Sequence, residues 1–508
     1  MDCKELNKLL GYIEENIRVT EQTSIEYIDP RGHIERLCLK QNQIVYGRRG
    51  SGKSLLLKSL GGKNGNYICL KTNLEDYKDI SFPDSIIQVL KALTKQLKKK
   101  IENNYKFYEL HKLLGARRLK RKCDDLIKDL EYNLSHPDQY DESIKSKKGK
   151  KKGGSAEIKK GVFKGSGSAE YTEENEVSKS IRIDKMDVLK NQIPDLKEIF
   201  QDIIKFTGDS PYFIIMDDFY FIRKKDQPYF IDFFHRLTKD TNAFLKVATI
   251  KHRSSLYVQG EETYIGMEIR HDAQSLDLDF NLENFEALKK FMKDLLNHIK
   301  TQSKSDIDVE NLLTENAFKQ LCLASGGVPR DFLSLFITLG TSLTSGKSTI
   351  SKPDVNEAAI ENAPNKVESF KKDSAEEKEI LEHYLDYIKE FLLTKKRTNT
   401  FLVPNSDVVK FSQINQALKE LVDLRLLHIV NSNTSSAPSD GKRYSAYMID
   451  IGLYPNAKPR DFRQIEPGEK DEAGREDKIR SAPKLNLTDF KEEINSLNLE
   501  KKLTVTEY

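Results

Sequence analysis

Eight residues near the start of the chain have the types and the spacing of a phosphate-binding loop. Residues 47–54 read Gly-Arg-Arg-Gly-Ser-Gly-Lys-Ser, the pattern G-x-x-x-x-G-K-S. The apolar run before them predicts a strand, and residues 55–60 after them predict a helix. Such a loop turns backbone N–H groups toward the phosphates of a nucleotide, and the helix adds its positive end. The sequence therefore predicts a nucleotide site made of nine residues: Gly47, Arg48, Arg49, Gly50, Ser51, Gly52, Lys53, Ser54 and Leu55.

Two acidic residues follow a second strand-like run. Residues 212–216 are continuously apolar, which is typical of a parallel strand covered on both faces, and Asp217 and Asp218 come directly after them. Because ligands bind at the carboxyl ends of such strands, we expect both carboxylates beside the loop. Ser54 and Asp217 are then predicted to hold Mg2+, and Lys53 to contact the β- and γ-phosphates. Asp218 is predicted to orient and deprotonate an attacking water. A solvated turn after a buried strand is the alternative for the acidic pair.

Three further residues are candidates for contacts near the γ-phosphate. The strand-like run 244–250 includes Thr249 near its end, whose hydroxyl we expect to position water, and Arg253 is a second candidate for contacting phosphate. An ordinary β-branched strand residue is an equally good interpretation of Thr249. In the segment Gly-Gly-Val-Pro-Arg, Pro329 begins a helix and places Arg330 in its first turn. Arg330 reaches the γ-phosphate if this helical region covers the nucleotide, and faces solvent if it does not.

The sequence resembles the AAA+ ATPases in the order of four elements: the loop, the acidic pair, Thr249 and the Gly-Val-Pro-Arg element. Within that family they resemble the origin-recognition-complex-like branch and its STAND relatives. The resemblance covers residues 25–365 and, more weakly, 375–455. It implies an α/β fold in which a P-loop core with a five-stranded parallel sheet carries a helical lid. It also implies that Thr249 is the sensor-1 residue, that Arg330 is the sensor-2 arginine, and that segment 25–30 contacts the adenine base.

The sequence departs from the family pattern at three points. The second acid is Asp218 where most hydrolysing members have Glu, although STAND proteins use Asp-Asp, and Thr249 stands where Asn is usual. No arginine finger is assignable, and Arg253 and Arg270 are the candidates. The distance along the chain from Lys53 to Asp217 is also long for the family, which indicates an insertion.

The insertion, at about residues 84–190, is rich in basic residues. Residues 90–134 predict one or two long basic helices, and residues 145–154 form a low-complexity run of lysine and glycine. Such segments bind the phosphates of DNA or RNA, but they are more often solvated loops. The sequence Gly-Ser-Ala-Glu occurs at 154–157 and again at 167–170, which is compatible with a β-hairpin or with a linker.

The last third of the chain has the element order of a winged helix. A helix over 376–392 is followed by a short strand at 401–403, a helix at 412–424 and two pairing strands at 426–430 and 443–449. The second helix carries a single lysine, so a protein partner is as good an interpretation as DNA. We predict four regions: a P-loop core at 1–280, a helical lid at 281–365, a winged-helix-like domain at 372–455 and a charged mobile tail at 456–508.

Bulk composition excludes several classes of protein. Charged residues make up 32% and apolar residues 38% of the 508 residues, and the net charge is +4, an ordinary balance for a soluble protein. The five cysteines form no C-x-x-C pair, which argues against a zinc site or a disulfide framework. No apolar run approaches the length of a membrane span, and the first residues lack the layout of a signal peptide. We expect a cytoplasmic protein with no membrane partner.

Two functions fit these observations. The first is an ATP- and Mg2+-dependent switch that hydrolyses ATP slowly and assembles with itself or a partner, with DNA maintenance and phage defence both compatible. The second is a nucleotide-gated binding module for nucleic acid or protein with negligible hydrolysis, which the short side chain of Asp218 favours.

Overall fold

The computed structural model describes residues 3–20, 22–61, 67–103, 110–145, 178–260, 264–373, 378–407, 410–455, 461–468 and 477–496. The repeated Gly-Ser-Ala-Glu segments and most of the low-complexity basic run lie outside these ranges. The strands, in chain order, are β1 (Gln43–Tyr46), β2 (Ile68–Asn73), β3 (Gln139–Lys145), β4 (Ser178–Asp184), β5 (Tyr212–Asp217), β6 (Ala243–Thr249), β7 (Tyr257–Gln259), β8 (Tyr264–Gly266), β9 (Gln274–Asp277), β10 (Thr400–Pro404), β11 (Leu427–Ser435) and β12 (Arg443–Ile449).

Fifteen α-helices lie among the described residues, whose strands form four sheets. In chain order they are α1 (Cys3–Asn16), α2 (His33–Leu37), α3 (Lys53–Ser59), α4 (Asp84–Asn103), α5 (Leu110–Leu134), α6 (Lys185–Phe206), α7 (Gln227–Thr238), α8 (Phe285–Ser303), α9 (Glu315–Ala324), α10 (Pro329–Thr344), α11 (Lys352–Asp373), α12 (Lys378–Lys389), α13 (Ser412–Asp423), α14 (Asp477–Arg480) and α15 (Leu487–Ser496). A π-helical segment, Glu390–Lys396, continues α12. The helices predicted at residues 376–392 and 412–424 are confirmed as α12, with its π-helical continuation, and α13.

The main sheet has five parallel strands in the order β2-β5-β6-β1-β9. Strand β5 is buried along nearly its whole length, as its continuous apolar sequence predicts. Strand β6 lies between the strand that carries Asp217 and the strand that precedes the glycine-rich loop, with Thr249 paired to Tyr46. Because all five strands run in the same direction, their carboxyl ends form one edge of the sheet. The predicted α/β fold with a five-stranded parallel sheet is confirmed.

The predicted insertion contributes to the core of this domain. Residues along α4, α5 and α6 are buried in one apolar cluster together with Ile214 and Met216 of β5. The amide of Gln96 on α4 both donates to and accepts from the backbone of Lys71 on the edge strand β2, which satisfies two edge groups. Described residues 84–134 are therefore part of the domain, and the β3–β4 pair extends from it.

Helix α1 packs on the lid instead of on the sheet. Its apolar side chains, among them Leu10, lie in the cluster that contains α8, α9 and α10, and Leu10 contacts Gly340. The Ser305 hydroxyl donates to the carbonyl of Glu5 at 2.8 Å. The predicted boundary that assigned residues 1–280 to one core is wrong for α1, because a helix with an apolar stripe packs where a complementary apolar face exists, whatever its place in the sequence.

The C-terminal region has the predicted order of elements, and its three strands form an antiparallel sheet in the order β10-β12-β11. The prediction of a mobile tail from residue 456 is wrong for the described residues 461–468 and 477–496. Leu402 of β10 pairs with the backbone at Pro483 and Leu485, and Phe490 is fully buried and stacks on Tyr387 at 4.3 Å. Its few apolar side chains hold this otherwise polar segment to the domain. None of the described helices is both long enough and apolar enough to cross a membrane.

Candidate nucleotide site

The glycine-rich loop joins the end of β1 to the start of α3. Gly50 and Gly52 have φ angles of 89° and 97°, which residues with a side chain rarely adopt. Gly52 is the N-cap of α3, so the backbone of the loop meets the positive end of that helix. The Lys53 side chain is buried, and its ammonium donates to the carbonyls of Gly47 at 2.8 Å and Arg48 at 3.2 Å. The loop therefore encloses a cation at the carboxyl edge of the sheet.

The acidic pair lies against this loop. The Ser54 hydroxyl makes a hydrogen bond with the Asp217 carboxylate, which joins the first turn of α3 to the end of β5. Asp218 has a φ angle of 54°, in the left-handed region, and its N–H donates to Asp217 Oδ1 at 2.9 Å. A non-glycine residue in this conformation carries strain that the surrounding structure must hold. Strand β5 thus presents two carboxylates to one site instead of directing the second to solvent.

Burial and charge both change the pKa values of these groups. Burial, followed by the neighbouring Asp217 carboxylate, raises the pKa of Asp218 to about 6, while Lys53 and the guanidinium of Arg49 act in the opposite direction. Burial also raises the pKa of Asp217 and lowers the pKa of Lys53, which Asp218 and Asp217 partly restore. Desolvated charges of both signs gathered in one place are typical of a functional site.

Arg330 reaches the same site from the lid. Its N–H donates to the carbonyl of Gly50 at 3.3 Å, and a Cβ on Gly50 would lie 2.7 Å from the Cβ of Arg330. Burial lowers the pKa of Arg330, and the guanidinium groups of Arg425 and Arg49 lower it further. The charge of Arg330 in turn acts on Lys53 and Asp218. The first turn of α10 is therefore seated on the glycine-rich loop, and residues 280 positions apart form one cluster.

These positions decide the fold class of the site. The glycine-rich loop, the lysine at the start of α3 and the serine–aspartate contact all lie at the carboxyl edge of a parallel sheet. The chain has a P-loop α/β fold.

Two solved structures are similar to this chain over most of its length. One is the ORC1 protein of Aeropyrum pernix in complex with DNA, at 11% identity and a TM-score of 0.33, covering 88% of this chain and 93% of that chain. The other is a Walker-type ATPase of Pyrococcus abyssi, at 11% identity and a TM-score of 0.41, covering 85% and 97%. No family model and no curated protein matches the sequence. At this identity the likeness concerns the fold alone, and the P-loop assignment rests on the geometry of this chain.

Thr249 and Arg253, which are predicted to act near the γ-phosphate, each make contacts of their own. Thr249 is fully buried at the end of β6, its carbonyl accepts the N–H of Gly47 at 3.2 Å, and its hydroxyl bonds to that of Ser254. Its role in positioning water stays a prediction. Arg253 lies over the ring of Tyr220 at 5.6 Å, and its buried Nη1 has no hydrogen-bond partner among the described residues.

The structure also describes Arg270, Leu55 and the segment that is predicted to contact adenine. Arg270 precedes β9 and is exposed at the end of the sheet opposite the acidic pair, and its role as an arginine finger stays a prediction. Leu55 packs against the lid cluster. A Cβ on Gly52 would lie 3.4 Å from the ring of Tyr27, which places the segment predicted to contact adenine beside the loop. That contact stays a prediction.

Arg48 is one of the nine residues of the predicted nucleotide site, and its side chain contacts the start of the lid. The guanidinium donates to the carbonyl of Phe280 at 2.7 Å and lies 3.4 Å from Asp279, and the backbone N–H of Arg48 donates to the same carboxylate at 2.9 Å. Arg48 is 4% exposed. Its side chain therefore ties the P-loop to the start of the lid, while its backbone remains in the loop. Asp279 is a site residue that the sequence analysis missed, and its only signal was its place after an alternating edge strand.

The C-terminal domain, which comprises α12, α13 and the sheet β10-β12-β11, contacts the loops that follow β5 and β6 through α13. Asp423 accepts the N–H of His252 at 2.9 Å, and Glu420 accepts from Lys224 at 3.1 Å. Gln416 donates to the carbonyl of His252 at 2.9 Å. The helix that a winged-helix protein would present to DNA is thus largely buried here, and its acidic groups are bound to the P-loop domain.

Gly326 allows the lid to approach the C-terminal domain. It has a φ angle of 56°, and a Cβ there would lie 2.0 Å from Cε1 of His428, whose Nε2 is 2.9 Å from Asp450. We expect Gly326→Ala to lower the free energy of unfolding by about 3 kcal/mol, because the imidazole is buried and cannot retreat. Gly441→Ala is the control, since Gly441 also has a positive φ of 78° but nothing within 4 Å. Equal losses in urea unfolding of the two variants would contradict the prediction.

Proposed function

We propose that this chain is an ATP-binding and ATP-hydrolysing switch of the AAA+ type, in the origin-recognition-complex-like or STAND branch. The observation that carries the proposal is the convergence of Lys53, Ser54, Asp217, Asp218 and Arg330 on one site. The first four come from the sheet domain and the fifth from a separate helical lid. An arginine that approaches from the lid, in addition to the acidic pair, suits a site for a triphosphate, because a diphosphate has no γ-phosphate for it to contact.

Each residue has a defined task in the proposed reaction. The backbone of the P-loop and Lys53 bind the phosphates and neutralise charge that develops on them. The adjacent oxygens of Ser54 and Asp217 are the hard ligands that Mg2+ prefers, and Mg2+ would supply charge neutralisation at the β- and γ-phosphates. Asp218 accepts the proton of the attacking water, and Arg330 contacts the γ-phosphate from the lid.

The test separates binding from hydrolysis. The affinity of the full chain for ATP and ADP is measured by calorimetry with Mg2+, and phosphate release is followed in the same preparation. The proposal expects ATP to bind and to be turned over. Tight binding of ATP with phosphate release equal to the blank would favour the nucleotide-gated binding module, and binding of neither nucleotide would exclude both functions.

We further propose that the switch binds a nucleic-acid duplex through helix α5. Four lysines of the α4–α5 pair form ion pairs with carboxylates, for example Lys98 with Asp124 at 2.5 Å and Lys122 with Asp202 at 2.8 Å. Arg117, Arg118 and Arg121 differ from these lysines. All three are exposed, none forms an ion pair with any described residue, and their spacing places them on one face of the helix.

This arginine face fits phosphates better than it fits a protein partner. Arg117 and Arg118 are adjacent in the helix, Arg121 follows about one helical turn, roughly 5 Å, farther along the axis, and each guanidinium can bind a phosphate in bidentate fashion. The covered α13 offers no comparable charge. The low-complexity basic run adds further lysines in the same part of the sequence.

Replacing Arg117, Arg118 and Arg121 together by glutamine is expected to weaken binding to a mixed-sequence DNA duplex by about tenfold or more. The plot of log K against log salt concentration should lose about 2 to 3 in slope, because three phosphate contacts disappear. The control removes the same charge elsewhere, from the exposed residues Arg223, Arg236 and Arg443. If both triple variants bind duplex equally, α5 is not the interface.

Self-assembly is the last part of the proposal. We propose that this chain, like other proteins of the AAA+ type, assembles when ATP is bound. Light scattering of the chain with ATP, with ADP and without nucleotide tests this part, and a mass that is the same in all three conditions would remove assembly from the proposal.

A further inference from the structure

The C-terminal domain contributes a buried arginine directly behind Arg330. Arg425 has a φ angle of 65° and lies in the turn between α13 and β11. Its Nη1 donates to Oδ1 of Asp331 at 2.6 Å, and each of the two side chains is 9% exposed. Asp331 is the next residue after Arg330 in the first turn of α10. The ion pair therefore joins a residue of the C-terminal domain to the turn that carries the γ-phosphate arginine.

The opposite side of this turn is in contact with the P-loop. The N–H of Arg330 donates to the Gly50 carbonyl, and the approach of the two residues leaves no room for a Cβ on Gly50. The first turn of α10 is thus fixed between the P-loop on one side and Arg425 on the other. The contact on the C-terminal side is a desolvated ion pair. Removing one of its two partners would leave the charge of the other buried, which lowers the stability of the fold.

We propose that Arg425 is a positioning residue for Arg330, through which the C-terminal domain sets the preference of the site for ATP over ADP. This inference rests on the proposed function. Arg425 holds Asp331, Asp331 fixes the orientation of the first turn of α10, and that orientation aims Arg330 at the γ-phosphate. The P-loop itself, which binds the phosphates shared by ATP and ADP, does not depend on this ion pair.

The charges around the ion pair agree with a positioning role. Arg425 has a buried Nε without a hydrogen-bond partner among the described residues, and the same is true of Oδ2 of Asp331. Lys366 lies 3.9 Å from that oxygen and is bonded to Asp450 at 2.8 Å. A second cation is therefore close to Asp331, so that loss of Arg425 leaves the carboxylate partly compensated. The expected defect is a misdirected Arg330 and not an unfolded domain.

The test compares the affinities of ATP and ADP for the full chain and for single and double variants. We expect Arg425→Gln to weaken ATP binding by about tenfold and to leave the ADP affinity within about threefold. Arg330→Ala should give a loss of the same kind. The double variant should bind ATP no more weakly than Arg330→Ala alone, because Arg425 acts through Arg330. Arg443→Gln, an exposed arginine of the same domain, is the matched control.

Each outcome supports or overturns the inference. A loss for Arg425→Gln that adds fully to the loss for Arg330→Ala, or that affects ATP and ADP equally, would mean that Arg425 is only structural. An Arg425→Gln variant that discriminates as well as the wild type, while Arg330→Ala does not, overturns the inference and leaves the proposed function intact. A wild-type chain that binds neither nucleotide defeats the proposed function itself. Asp331→Asn is the second variant and should reproduce the ATP-specific loss if Arg425→Gln fails to fold.

Discussion

Lys53→Ala is expected to lower ATP turnover by at least about a hundredfold, the largest effect of any single change in this chain. The Lys53 ammonium is buried within the P-loop, between the Gly47 carbonyl and the acidic pair. Its removal takes away the P-loop cation that we propose contacts the β- and γ-phosphates, and a preorganised donor in a dry site is worth two to three orders of magnitude in rate. ATP binding should weaken as well, because phosphate is bound in the ground state too. Phosphate release at saturating ATP and calorimetric affinity measure the two losses separately.

The control for this change is Lys40→Ala. Lys40 is exposed shortly before β1 and belongs to the same domain, so its loss changes the net charge equally without touching the loop. Thermal unfolding of both variants shows whether the buried vacancy at position 53 has unfolded the domain. Turnover by Lys53→Ala at the wild-type rate, with the fold intact, would mean that the activity resides elsewhere and that the proposed function is wrong.

The parts of the site that the sequence predicts are those encoded in contiguous residues. The P-loop needs glycine where φ is positive and lysine at the first turn of the following helix, and both needs are met within residues 47–54. Asp217 and Asp218 were predictable because a continuous apolar run specifies a buried parallel strand and hence the edge at which it ends. For these residues, local sequence determines the position of the functional group.

The local sequence does not predict where the side chains of Arg48 and Arg425 point, because their partners are distant in the sequence. Arg48 lies inside the P-loop motif, yet its guanidinium binds the lid because Asp279 and the Phe280 carbonyl offer a better-placed acceptor pair than the loop does. Arg425 had no signal, since its partner Asp331 is 94 residues away and neither residue stands in a motif. In both cases tertiary contacts decide what an arginine does.

The C-terminal segment shows how composition can mislead. Residues beyond 456 are charged on average, and disorder follows from too little apolar surface to offset the entropy of ordering. A few well-spaced apolar residues are enough when a matching groove already exists. Phe490 stacks on Tyr387, and Ile465 and Ile479 are buried at 1% exposure. The average polarity of a segment predicts that the segment has no hydrophobic core of its own. It does not predict whether the segment packs against the core of a neighbouring domain.

Asp218→Asn is expected to lower ATP turnover by about a hundredfold while the ATP affinity stays within about threefold. Asparagine has the same shape and also tolerates the left-handed backbone that Asp218 adopts, so the strained turn after β5 is kept. What disappears is the carboxylate that we propose accepts a proton from water, and general-base catalysis contributes two to four orders of magnitude. ATP binding does not need the negative charge of Asp218. Its removal also ends a repulsion between the carboxylate and the phosphates, which offsets the affinity lost with any contact.

Asp209→Asn is a closely matched control for this change. Asp209 also has a positive φ, 56°, but it is exposed in the turn before β5, at the end of that strand remote from the P-loop. The same chemical change in the same backbone conformation should leave turnover unchanged there. If Asp218→Asn hydrolyses ATP as fast as the Asp209 variant does, Asp218 is not the base, and the strain held at that position has another cause. If instead the wild type binds ATP tightly and neither it nor the variants release phosphate, the acidic pair serves metal binding alone, and the chain is a gated binding module that Arg330 and Arg425 couple to its C-terminal domain.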